Sequence, residues 1–136
     1  DTPLATAETM RAMVDACRDD DVSVVVLGFE PVSADGYGRL VLADDGTLEA
    51  IVEHRDATPE QLEIGLCNSG MMVANAKVLF NLLGQVTSDN TMGEFYLTDI
   101  IALAKAQNLV CDVVMGDEDE VMGINSRADL ANAEDI

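Results

Sequence analysis

The sequence holds no uninterrupted run of the about 18 apolar residues that a membrane-spanning helix requires. Its first residues carry neither the basic nor the apolar stretch of a secretory signal. A soluble protein is expected. Basic residues are scarce: seven Lys and Arg stand against 26 Asp and Glu, a formal charge of −19. That excess repels nucleic-acid phosphates and anionic lipid headgroups, so neither nucleic acid nor membrane is an expected partner. The three cysteines, Cys17, Cys67 and Cys111, are odd in number, far apart and set among apolar neighbours. They fit neither a disulfide framework nor a zinc motif; reduced core thiols and a cytoplasmic location are expected. The single histidine, His54, has no second histidine with which to form a metal or catalytic pair. A partly exposed place at the end of a strand is its expected role. No internal repeat, low-complexity tract or interdomain linker is visible.

What is present suits one α/β unit. The 136 residues, 49% of them hydrophobic, are enough to bury a core. Helical spacing through Met10, Met13 and Val14 predicts a helix over Ala7–Cys17. Val22–Phe29 is near-continuously apolar and β-branched, the pattern of a strand covered on both faces. Leu40–Leu42 and Thr47–Val52 read as short strands, with Asp45-Gly46 as the hairpin turn between them. Thr58, Pro59 and Gln61 form a helix-start signal. Leu66–Ala74 reads as a strand interrupted by Asn68, Ser69 and Gly70. Asn75 caps a helix to about Leu83, with Val78, Leu79, Leu82 and Leu83 on its buried side. Leu97–Gln107 predicts a further helix, Val110–Met115 a strand, Asp117–Glu120 an acidic loop, and Ser126 the cap of a last helix through Leu130.

Most acids fall in predicted turns, as at Asp19–Asp21, Asp44–Asp45 and Asp117–Glu120, which describes a solvated acidic surface. A polyanionic ligand would need local cations, from a bound divalent metal or from basic residues on another segment.

Individually, the polar clusters have ordinary readings beside functional ones. Gly36-Tyr37-Gly38-Arg39 is a turn, or a place where backbone approaches a ligand. Glu53 ends an apolar strand, where an α/β fold exposes either a solvated acid or a binding group. Asn68 sits inside a strand, where its amide must find a structural partner or a ligand hydroxyl. Thr98 reads as a helix-start cap.

Taken in order, Gly36-Tyr37-Gly38-Arg39, Ile51-Val52-Glu53-His54-Arg55-Asp56-Ala57, Asn68-Ser69-Gly70, Gly93-Glu94-Phe95-Tyr96-Leu97-Thr98-Asp99-Ile100 and Gly123-Ile124-Asn125-Ser126-Arg127 are similar to successive motifs of a known family. The chain resembles the bacterial N-acetylglucosamine-1-phosphate uridylyltransferases over nearly its whole length. Ser69 stands where the family usually has threonine, and Phe95 where it usually has tyrosine. The resemblance implies a Rossmann-like nucleotide-diphosphosugar transferase domain, with a mixed sheet, flanking helices and a small β-hairpin. It implies that residues 1–136 form the sugar-phosphate-binding portion, with Gly38, Glu53, Asn68 and Thr98 against the N-acetylglucosamine part of the ligand. It further implies Mg2+ held by Asp1 and Asn125, and no catalytic side chain, because the sugar phosphate is itself the nucleophile. The expected ligands are N-acetylglucosamine 1-phosphate and UDP-N-acetylglucosamine.

The family's glycine-rich nucleotide loop, Gly-x-Gly-Thr-Arg-Met, and the hexapeptide repeats of its acetyltransferase half have no counterpart here. UTP is therefore expected as a partner only with the missing N-terminal segment, and this chain alone is expected to be inactive. A stand-alone sugar-phosphate-binding or regulatory module, and a pyrophosphorylase for another sugar or nucleobase, are the alternative readings.

Overall fold

The computed structural model describes residues 2–19 and 21–136. In chain order the elements are α1 (Ala7–Cys17), β1 (Val22–Phe29), β2 (Arg39–Leu42), β3 (Leu48–Val52), α2 (Pro59–Leu62), β4 (Cys67–Ala74), α3 (Ala76–Leu83), a 3-10 turn (Leu97–Asp99), α4 (Ile100–Ala106), β5 (Val110–Met115), α5 (Glu118–Val121) and α6 (Arg127–Glu134). The strands form one mixed sheet in the order β3-β2-β4-β1-β5. β1 runs antiparallel to β4 and parallel to β5, while β2 pairs antiparallel with β3 and, at Arg39 and Cys67, with β4.

The period-two alternation of strand side chains sorts β1 into two cores. Val24 and Val26 pack with Leu82 of α3 and with Ile100, Ile101 and Ala104 of α4. Val25, Leu27 and Phe29 pack on the opposite side with Met13 of α1 and Val121 of α5. Every residue from Val24 to Phe29 is buried, as a strand covered on both faces must be. Gly28 has no room for a side chain: a Cβ there would lie 2.8 Å from both Leu40 Cδ1 and Val113 Cγ1. Cys67 and Cys111 are buried, Cys17 is half-buried, and all three are free thiols.

Local signals hold several elements. Gly46 takes φ 83° in the β2–β3 turn and donates its N–H to Ala43 O at 2.9 Å. The Thr58 hydroxyl accepts from Gln61 N at 3.2 Å while Gln61 Oε1 accepts from Thr58 N at 2.9 Å, a closed capping box. Asn75 Oδ1 accepts from the N–H groups of Lys77 and Val78 at the start of α3.

Some expectations are corrected. The segment from Leu97 is a 3-10 turn followed by a short α4, so Thr98 lies ahead of the α-helix and its side chain caps nothing. Leu83 is 37% exposed rather than on the buried side of α3, and of the α1 apolar residues only Met13 is buried. Glu118–Val121 is helical instead of a loop because distant partners pin it. Glu118 accepts from Val32 N at 3.3 Å, and Glu120 accepts from the hydroxyls of Thr6 at 3.1 Å and Thr9 at 2.5 Å. The last helix runs to Glu134, beyond Leu130, behind a Ser126–Asp129 capping box.

Candidate functional site

The β2–β3 ladder pairs Arg39 with Val52, so Gly38 and Glu53 are the first residues beyond it, side by side at one end of the hairpin. A Cβ at residue 38 would lie 3.5 Å from Glu53 Oε2. Glycine here leaves that carboxylate oxygen uncovered. The other oxygen, Oε1, accepts the Thr98 hydroxyl at 2.9 Å. Gly38 O accepts from Asn68 N at 2.9 Å, and Asn68 Oδ1 accepts from Gly70 N at 3.0 Å. With its oxygen engaged, Asn68 keeps its two amide N–H groups as donors.

The fold thus joins Gly38, Glu53, Asn68 and Thr98, drawn from β-strand ends, β4 and the 3-10 turn, into one connected group. Glu53 and Thr98 are half-buried, which strengthens their hydrogen bond over an exposed one while leaving access to a ligand. Glu53 opens onto a groove of about 320 Å³ that it lines with Gly36, His54, Arg55, Met92, Glu94 and Tyr96. Gly38, Asn68 and Thr98 contact Glu53 or one another but do not line that groove. On its other flank Glu53 borders a second hollow of about 280 Å³ with Asp56, Asn90, Tyr96 and Asp99.

His54 sits where a strand-end histidine was expected and is half-buried. Its Nδ1 accepts from Gly36 N at 3.3 Å, tying the turn before β2 to the end of β3.

Sequence reasoning assigned no role to Tyr96 or Asp56, although both lie in motifs that resemble the family's. Asp56 Oδ1 accepts from Thr91 N at 2.9 Å, and its Oδ2 is buried without a partner. Hydrogen bonds from Thr91 hold the Asp56 carboxyl below the usual carboxylate range. Burial pushes the Tyr96 phenol above its ordinary range, and the charge of Asp56 adds to the effect. Asp99 is also raised, first by burial and then by the Asp56 charge. The signal for these residues was spatial: a strand end and a loop 35 residues later share one wall.

The expected metal ligands are Asp1 and Asn125. Asp1 lies outside the described residues. Asn125 is exposed at the entrance to α6, and its backbone N–H donates to Asp129 Oδ2 at 3.0 Å. Its side-chain amide makes no hydrogen bond among the described residues. No group of three or more His, Cys, Asp and Glu side chains among the described residues is disposed to hold a metal ion. No helix among them is long and apolar enough to cross a membrane.

No protein-family model matches the chain. It is 53% identical over 137 residues to the bifunctional protein GlmU of Rhodospirillum rubrum, covering all of this chain and 30% of that protein. It is 51% identical over 134 residues to the bifunctional protein GlmU of Maricaulis maris, covering 98% of this chain and 29% of that protein. The chain therefore spans about 30% of the length of the curated relatives it matches. Among solved structures, the nucleoside-diphosphate-sugar pyrophosphorylase from Vibrio cholerae RC9 superposes with a TM-score of 0.65 at 10% identity, over 96% of this chain and 50% of that one. At that identity the likeness establishes the fold.

Proposed function

We propose that this chain is the sugar-phosphate-binding portion of a cytoplasmic nucleotidyltransferase that moves a uridylyl group from UTP to N-acetylglucosamine 1-phosphate, yielding UDP-N-acetylglucosamine and pyrophosphate. The observation that carries the reading is the Glu53 carboxylate, with one oxygen held by Thr98 and the other left open beside the side-chain-free Gly38. That arrangement suits the neutral, hydroxyl-rich sugar part of a sugar phosphate, because the open oxygen accepts from a sugar hydroxyl or acetamido N–H while Asn68 donates from its amide. Similarity to a stretch of the GlmU proteins, together with the pyrophosphorylase-like fold, supports it.

In this reading the protein binds and orients. The phosphate oxygen of the sugar phosphate is already anionic at neutral pH, so no side chain need remove a proton. Glu53 fixes the sugar ring, Thr98 fixes Glu53, and Asn68 positions Gly38 through the 2.9 Å backbone bond. The oxygen donors of Asn125 and Asp1 suit Mg2+, which when bound would offset the charge of the phosphates. The 136 residues contain no glycine-rich nucleotide loop of the family type, so the nucleotide half is not assigned to them.

Calorimetric titration of the purified chain with N-acetylglucosamine 1-phosphate, with and without magnesium, tests the reading. Binding by the wild-type chain, a Kd raised about tenfold in Glu53→Ala, and a weakened magnesium effect in Asn125→Ala are expected. Equal affinity in wild type and Glu53→Ala would remove Glu53 from the site. Robust pyrophosphate release from the chain with UTP, magnesium and the sugar phosphate would overturn its assignment to one half of the reaction.

A further inference from the structure

Arg39 is the one polar side chain among the described residues that is fully buried, at 2% exposure. Among those residues it forms no ion pair with a carboxylate. Its guanidinium instead donates to carbonyls: Nη1 to Ala34 O at 2.6 Å and to Tyr37 O, and Nη2 to Leu62 O at 3.5 Å, while Nε has no partner. Ala34 and Tyr37 are the two ends of one turn, in which Tyr37 N donates to Ala34 O at 3.3 Å and Gly36 takes φ 83°. That turn carries Gly36 into the wall of the groove and leads directly into Gly38. The Tyr37 ring meets the core residue Phe29 edge-on, with centroids 5.0 Å apart.

We infer that Arg39 is a positioning residue: it clamps the Ala34–Tyr37 turn to the end of α2 from beneath, and so sets where Gly36 and Gly38 stand against Glu53. The inference rests on the functional reading above for what the groove binds, while the clamp itself stands on the geometry of the turn. A buried cation without an anionic partner is costly, and an ordinary turn needs none. The guanidinium is always charged, and its planar fork reaches several acceptors at once. An ammonium also has three donors, but they radiate from one point on a flexible stem, so it holds two turn carbonyls and Leu62 O less firmly than the planar fork does. The turn is tied as well by the Gly36 N–H, which donates to His54 Nδ1 at 3.3 Å on the groove side.

The test is Arg39→Lys in the full chain, read by amide hydrogen exchange and by titration with N-acetylglucosamine 1-phosphate. Exchange at the Gly36 and Tyr37 amides should quicken about tenfold or more while Val25, in the interior strand β1, stays protected, because the opening is local. Affinity for the sugar phosphate should fall about tenfold through the loss of a preset wall. Unchanged exchange at Gly36 and Tyr37 would overturn the clamp. Uniformly faster exchange across β1 and β5 would also overturn it, by making Arg39 a support of the whole fold. Faster exchange at the turn with undiminished affinity would overturn its positioning of the site. Faster exchange at the turn in a wild-type background that binds no sugar phosphate would count against the functional reading and uphold the clamp.

Discussion

Thr98 and Glu53, 45 residues apart in the chain, meet through a 2.9 Å hydrogen bond from the threonine hydroxyl to Glu53 Oε1. The bond engages one carboxylate oxygen; in the proposed reading the other is the acceptor for a ligand. Replacing Thr98 by valine keeps the shape and removes the donor. Stability should fall by about 1 kcal/mol, the usual net value of such a bond, and affinity for N-acetylglucosamine 1-phosphate by about fivefold. Thr98→Ser, which keeps the hydroxyl, should restore most of both. Denaturant titration and calorimetry on the two variants check this, and a serine variant as weak as the valine one would place the methyl, not the hydroxyl, in charge.

Gly38→Ala separates binding from folding. The new methyl would meet Ile51 Cγ2 at 3.4 Å and Glu53 Oε2 at 3.5 Å, near ordinary contact distances, and Gly38 is not among the positive-φ glycines. The fold should keep its stability to within about 1 kcal/mol. The methyl covers the open carboxylate oxygen, so affinity for the sugar phosphate should drop about tenfold. A thermal scan beside a titration decides it.

Gly28→Ala should do the reverse. Its Cβ would fall 2.8 Å from side chains of both Leu40 and Val113, so both must shift to admit it. Overpacking of this kind costs about 1–3 kcal/mol. The expected result is a lower thermal midpoint with a ligand affinity unchanged in the folded fraction.

Stability should also depend on alkaline pH through Cys111. Burial pushes this thiol up to about 11 from an ordinary 9.0, so the folded chain keeps the proton that the unfolded chain releases. A raised folded pKa gives stability that is complete below the unfolded value and is lost as pH climbs through the window from 9.0 to about 11. Urea midpoints at the two ends of that window should differ in the wild type, and the part of the slope due to this thiol should vanish in Cys111→Ala. An identical slope in the variant would assign the pH dependence elsewhere.

The elements legible in the sequence are those specified locally. Asp45-Gly46 announces a turn, Thr58 with Gln61 a capping box, Asn75 a helix start, and Val22–Phe29 a strand sheathed on both faces. The misreadings arise where distant residues decide. Asp117 with Glu120 three residues on is a short helix-start pattern inside a run of acids that also reads as a loop; Asp117 makes no side-chain cap bond, and Val32, Thr6 and Thr9 hold Glu118 and Glu120 from across the fold. Leu97–Gln107 has the apolar content of one helix, but its first turn tightens to 3-10 geometry, where Thr98 reaches Glu53. For the site, motif resemblance supplied Gly38, Glu53, Asn68 and Thr98, while spacing along the chain does not announce that they touch. The Asp56–Thr91 contact that builds the adjoining wall is invisible without the tertiary structure.

The wholly covered central strand has a consequence outside the native state. Once the chain unfolds, Val22–Phe29 becomes a bare segment rich in β-branched residues, without charge or proline, the composition that stacks into cross-β fibrils. Asp19, Asp21 and Glu30 bracket it with carboxylates, which act as gatekeepers against that stacking. Their protection is electrostatic, so it fades as the chain approaches its isoelectric point of about 4.1. Heated near that pH, the protein should form aggregates seeded by its most deeply buried strand; heated at neutral pH, the same unfolded chains, carrying a charge of −19, should stay dispersed.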